Sequence, residues 1–123
     1  MIKFLIITGA FLSGSAVLIG AFGAHALKNI LDEYSKDIYE KAVFYHFIHS
    51  LSILVVANFQ YFFNQYYFIS GILFILGILI FSGSLYILSI TGIRWIGAFT
   101  PIGGLCFILG WFWITYQAFS LVK

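Results

Sequence analysis

The sequence predicts an all-α protein, a four-helix bundle embedded in a membrane as a single domain over residues 1–123, and three observations predict it. Hydrophobic residues make up 63% of the chain and charged residues only 8%, where soluble domains carry about 25% charge. The apolar residues fall into four runs, each close to the ~20 residues that a helix needs to cross a bilayer. All four acids (Asp32, Glu33, Asp37, Glu40) and three of the six cations (Lys28, Lys36, Lys41) lie between residues 28 and 41, so charge marks a loop. Strands are excluded as the main element, since a membrane barrel needs many short alternating segments and these runs are long and apolar all round.

The first span is placed at Phe4–Ala26. It follows Lys3 and exceeds the 7–15 apolar residues of a signal-peptide core, so it reads as a retained span. A connector over residues 27–41 follows, with Leu27, Leu31, Tyr34 and Ile38 at the spacings of an amphipathic helix lying on the headgroups. Its charges are set for i,i+4 pairs, Asp32 with Lys36, Lys36 with Glu40 and Asp37 with Lys41, and Ser35 is placed to cap a helix leading onward. The second span is Ala42–Tyr61, the third Tyr67–Ile90 beyond a short uncharged link, and the fourth Trp95–Ala118 beyond Thr91-Gly92-Ile93-Arg94. Pro101 either kinks the fourth span or stands in its first turn with Thr100 as the cap. Trp95, Tyr66, Tyr67, Trp111, Trp113 and Tyr116 are read as aromatic belts at the interfaces. Lys28, Lys36, Lys41 and Arg94 are expected at one membrane surface, with Lys3 and Lys123 at the other.

A formal charge of +2, scattered along the chain, excludes nucleic acid as a partner. The expected surroundings are the lipid bilayer of the cell (inner) membrane, with a second copy or another membrane protein as partner. Cys106 is a lone cysteine inside an apolar run and forms no intrachain disulfide. Helices in lipid associate by close packing, which small residues permit. Gly9, Ser13, Ala16, Gly20 and Gly23 form one such face, Ser70, Gly77, Ser84 and Thr91 a second, and Gly103, Cys106 and Gly110 a third. Their spacings near 3.5 favour a left-handed bundle. Gly9, Gly20, Gly23, Gly77, Gly103 and Gly110 are expected at helix contacts.

The most polar membrane face is on the second span, where Tyr45, His49 and Ser52 stand at spacings of 4 and 3 beside His46. An ionisable group at membrane depth faces the bundle interior and is a functional-site candidate. Three readings stay open: neutral imidazoles as packing glue, a path for protons or a small solute, and metal or haem ligation. The ligand count argues against a closed metal site, with Cys106 in another span and every acid in one loop. No cofactor is implied. No carboxylate within the spans is available to orient a histidine beside Ser52, Ser82 or Ser84, so nucleophilic catalysis is unsupported and the expected protein is not an enzyme.

The strings Gly20-Ala21-Phe22-Gly23-Ala24-His25-Ala26-Leu27, Tyr45 with His49, Phe81-Ser82-Gly83-Ser84-Leu85-Tyr86, and Thr100-Pro101-Ile102-Gly103-Gly104 with Gly110-Trp111 span most of the chain. In this order they resemble the YgdD-like family of small multi-span inner-membrane proteins, a domain of unknown function with relatives among small vertebrate transmembrane proteins. The family pattern carries Gln at the position of His46, so the resemblance makes His25 and His49 the matched pair. A basic tail in members implies both ends in the cytoplasm; here only Lys123 stands in its place. The expected pocket joins His25, Tyr45 and His49 and is closed by Ser82 and Ser84. The expected role is an accessory or structural component of an envelope or respiratory membrane assembly. The alternative is an oligomeric channel or transporter for a small solute or proton using His25, Tyr45 and His49.

Overall fold

The structure, a computed structural model, describes residues 1–121. Helix α1 spans Ile2–His25 and α2 spans Glu33–Phe63. The third membrane segment joins α3 (Phe68–Gly77), a π-helical stretch (Ile78–Ser82) and α4 (Gly83–Thr91); the fourth is a 3-10 turn (Arg94–Ala98) followed by α5 (Thr100–Phe119). Four segments, Ile2–His25, Glu33–Phe63, Phe68–Thr91 and Arg94–Phe119, are long and apolar enough to cross a membrane. The protein is an all-α membrane bundle of four spans joined by short connections.

The helix ends follow from local chemistry. Asp32 is the N-cap of α2, its carboxylate accepting the Ser35 N–H at 2.7 Å. That bond satisfies one of the free amides of the first turn, and it holds the Asp32 carboxyl below the usual aspartate range. The cap is therefore Asp32 and not Ser35. Residues 33–41 do not form a separate connector helix: they are the first turns of α2, whose 31 residues extend about 46 Å at 1.5 Å per residue, beyond the ~30 Å hydrocarbon core. Of the expected stripe, Leu27 and Ile38 are buried and Tyr34 is exposed. Asp37 binds Lys41 at 2.9 Å as expected, whereas Asp32 is committed to its cap and Lys36 approaches Glu33 instead, at 3.9 Å.

Asn64, in the left-handed region at φ 48°, ends α2, and the buried Gln60 side-chain Oε1 accepts the Phe68 N–H at 2.9 Å where α3 begins. Gly92 at φ 70° ends α4, a conformation that glycine adopts without a Cβ penalty. Pro101 lies in the first turn of α5 and starts that helix rather than kinking it. Thr100 makes no capping bond, because its hydroxyl faces Ser84 on α4 at 2.6 Å.

Helix α2 lies centrally, packing on α1 along one side and on the third membrane segment along the other, and that segment in turn packs on α5. This order explains the burial: 44% of the apolar window of α2 and 39% of that of the third segment are buried, against 17% for each outer helix. Leu5, Ile53, Val56, Tyr67, Phe74, Ile78 and Phe107 form the apolar core. The expected glycines lie at helix contacts. A Cβ at Gly9 would come 2.9 Å from Leu54, at Gly110 2.6 Å from Phe74 and at Gly20 3.1 Å from Val43. At Gly23 it would run into the Tyr39 ring, and at Gly77 into Phe107. Gly103 is the tightest in kind, since its Cβ would meet the backbone nitrogen and Cα of Phe81. The π-helical stretch thus lies directly against the first turns of α5.

The stripe on the third segment pairs with α5 in antiparallel register. Ser70 donates to the Gly110 carbonyl at 2.9 Å, Gly77 faces Phe107, and Ser84 faces Thr100. Thr91, last in the stripe, is exposed; its hydroxyl donates to the Ile87 carbonyl and accepts the Ile93 N–H at 3.3 Å, and it makes no bond to α5. Arg94 shares a small depression with Tyr34 and Leu88, which places it at the same end of the bundle as the start of α2. Lys123, expected at the opposite end, lies outside the described residues.

Candidate functional site

The polar interior is organised around two histidines of α2, both only 4% exposed, whose rings have different partners. His49 Nδ1 lies 2.8 Å from the Tyr45 carbonyl oxygen one turn earlier. A carbonyl only accepts, so Nδ1 carries the proton. On the other side of the ring, the Trp111 indole N–H of α5 donates to His49 Nε2 at 3.1 Å. An indole only donates, so Nε2 is bare and the imidazole is neutral. Phe107 stacks on the ring with centroids 3.6 Å apart and planes 10° from parallel, and Phe74 tilts against it at 5.3 Å. Both ring nitrogens are engaged and the faces are covered by aromatic rings.

His46 lies one turn nearer the start of α2. Its Nδ1 is 2.9 Å from the Tyr86 hydroxyl of α4, and its Nε2 is 3.5 Å from the Ser15 hydroxyl of α1. Ser15 gives its own proton to the Leu12 carbonyl at 2.9 Å, so its oxygen faces His46 as an acceptor. The arrangement that uses every proton puts hydrogen on Nε2 and lets the Tyr86 O–H donate to Nδ1, the opposite tautomer to His49. Tyr39 packs edge-on against Tyr86 at 5.4 Å and donates its hydroxyl proton to the Ile19 carbonyl of α1. His46 thus joins three membrane segments, and His49 joins α2 to α5.

The expected pocket is not assembled. His25 is exposed at the end of α1, on a groove between α1 and α2, whereas the partners of His49 come from its own helix and α5. The reason is that His25 ends α1 near the bundle surface and His49 lies well inside α2. Tyr45 does meet His49, through its carbonyl and a parallel ring at 6.0 Å, while its own ring packs on Phe81 and Phe107. Ser82 donates to the Ala42 carbonyl of α2 at 2.8 Å, and Ser84 bonds to the Phe81 carbonyl and Thr100. Neither serine closes on a histidine. Ser52 bonds back to the Ile48 carbonyl.

Ser15, Tyr39, Tyr86, Phe107 and Trp111 complete the two clusters and were not singled out as site residues by their sequence context. Tyr86 and Trp111 stand in the strings that carry the family resemblance, which was the available signal. The aromatic-belt assignment fails for Trp111, whose N–H points inward to His49; Trp113 donates to the Tyr66 carbonyl, tying α5 to the turn before α3. Among the described residues, every buried side-chain nitrogen or oxygen has a hydrogen-bond partner. No group of three or more His, Cys, Asp and Glu side chains comes together among them in a metal-binding arrangement.

Residues 19–104 match the family model described as a protein of unknown function, DUF423. This stretch runs from the end of α1 to the first turn of α5 and includes both histidine positions of α2. The chain is 41% identical over 120 residues to the UPF0382 membrane protein SH2409 of Staphylococcus haemolyticus, covering 98% of both chains. It is 42% identical over 119 residues to SSP2132 of Staphylococcus saprophyticus, covering 97% of this chain and 99% of the relative. Against YwdK of Bacillus subtilis, it is 40% identical over 118 residues, with 94% and 96% covered. No solved structure matches. With a family model over most of its length and near-complete matches to these relatives, the chain belongs to the DUF423 (UPF0382) family of membrane proteins.

Proposed function

We propose that the protein is a non-enzymatic accessory or structural component of a membrane assembly of the envelope or respiratory kind, seated in the cell membrane. One observation carries this reading: the buried polar side chains are spent on joining helices. Trp111 to His49, Tyr86 to His46, Ser82 to the Ala42 carbonyl, Ser70 to the Gly110 carbonyl and Ser84 to Thr100 each link two membrane segments. Such bonds contribute about 0.6 kcal/mol each in membrane bundles, so together they fix one packing more than they drive association. The outer faces of α1 and α5, bearing Phe11, Leu18, Leu105 and Phe112, are the surfaces left for a partner. The resemblance to YgdD-like proteins and small vertebrate transmembrane proteins belongs to this reading and brings no activity with it.

A second reading, a channel or transporter for a small solute or proton, is favoured by one feature. His46 is flanked by the hydroxyls of Tyr86 and Ser15, groups that both donate and accept. Isolation from native membranes in mild detergent tests the two. A membrane-protein partner in fixed stoichiometry is the expected result. A homo-oligomer around a water-filled centre would replace the accessory role with the second reading.

A further inference from the structure

A groove of about 980 Å³ runs along the outside of the bundle between α1 and the first half of α2. Its inner walls are apolar, formed by Ala16, Gly20, Val43 and Phe47, and its mouth carries Lys28, Lys36 and Glu40. From Glu40 to Ile48, the α2 wall covers about 12 Å of helix axis, at 1.5 Å per residue. The polar groups are gathered where α1 ends and α2 begins, and the apolar walls lie toward the middle of both spans. This is the order of a lipid standing beside the bundle, with its head at the surface and its chain inward.

The charges favour an anionic lipid. Among the described residues Lys28 makes no ion pair, and Lys36 has only a 3.9 Å contact with the almost fully exposed Glu33. Two ammonium groups thus face one carboxylate at the mouth. A cation near an anionic membrane surface favours binding by about fivefold. A second copy in the same membrane orientation would bring its own Lys28 and Lys36 to the same level, and like charges would meet.

We infer that this groove binds one anionic phospholipid, with an acyl chain between α1 and α2 and the phosphate at Lys28 and Lys36. The inference is independent of any protein partner on the outer helix faces. The test uses the full chain in mild detergent with phosphatidylglycerol or phosphatidylcholine, and native mass spectrometry to count retained lipid. One phosphatidylglycerol per chain is expected, retained at least fivefold better than phosphatidylcholine. The double variant Lys28→Gln, Lys36→Gln should remove that preference, because it removes charge from an exposed and a half-buried side chain and keeps most of their length. Ala21→Trp, which fills the groove from an exposed position, should reduce retention of both lipids. Equal retention of the two lipids by the natural chain and both variants would overturn the inference, as would a dimer cross-linked through position 21 that excludes lipid.

Discussion

His46 and His49 stand three residues apart on one helix and are equally buried, yet the chemistry around them differs. His49 is bounded by a carbonyl that only accepts and an indole that only donates, so one neutral tautomer satisfies the site and any other breaks a bond. His46 is bounded by two hydroxyls, which can reverse their roles. Partner type therefore separates a fixed structural imidazole from an adaptable one where residue identity and depth do not. The packing differs in the same sense. The His49 cluster is backed by Phe107 and Phe74 at positions where Gly77 and Gly110 allow close approach, whereas Ser15 reaches His46 only at 3.5 Å.

The largest effect is expected on the His49 side. Gly103→Leu should destabilise the bundle by about 3 kcal/mol or more, or prevent folding, because the obstruction is the Phe81 backbone and no side chain can rotate away. Thermal unfolding in detergent measures it. Trp111→Phe should follow, leaving His49 Nε2 buried without a donor at a cost of about 1–2 kcal/mol. Ser15→Ala on the His46 side should cost less than about 0.5 kcal/mol, since it removes a long contact to His46 and a bond back to the Leu12 carbonyl within its own helix. If Ser15→Ala proves as damaging as Trp111→Phe, the contrast between the two sites is lost.

The smallest effect lies outside the spans. The Asp32 carboxyl is held below its usual range by the Ser35 bonds, so its cap contribution is present above the unfolded aspartate pKa and fades as pH falls through the lower folded value. Asp32→Asn, which keeps a capping oxygen, should flatten that acid-side decline in the melting temperature. An unchanged decline would assign it to other carboxylates.

The four spans and the packing glycines were legible in the sequence, because lipid imposes long apolar runs and rewards small residues at contacts, whereas the start of α2 at Glu33 was not, since its first turns are charged. Ser70, Gly77 and Ser84, one small-residue face in the sequence, all meet α5. The site was less legible. Spacing along α2 shows that His46 and His49 share a polar side, but not that Trp111 turns inward, which depends on how α5 rotates against the third segment. The π-helical stretch Ile78–Ser82 has no clear periodic signal, although it lies where Ser82 turns to α2 and Ser84 to α5. The pairing of His25 with His49 rested on shared strings and a shared membrane side, and neither determines depth within the bundle.

The two histidines hold opposite neutral tautomers, imposed at His49 by an obligate acceptor and an obligate donor and set at His46 by the commitment of the Ser15 proton to the Leu12 carbonyl. Nitrogen-15 NMR of the histidine side chains, in the protein reconstituted into bilayers and assigned with His46→Gln and His49→Gln, measures this directly. The expected spectrum has protonated Nδ1 and bare Nε2 for His49, with the reverse for His46. A protonated Nε2 on His49, or the same tautomer at both positions, would contradict the account.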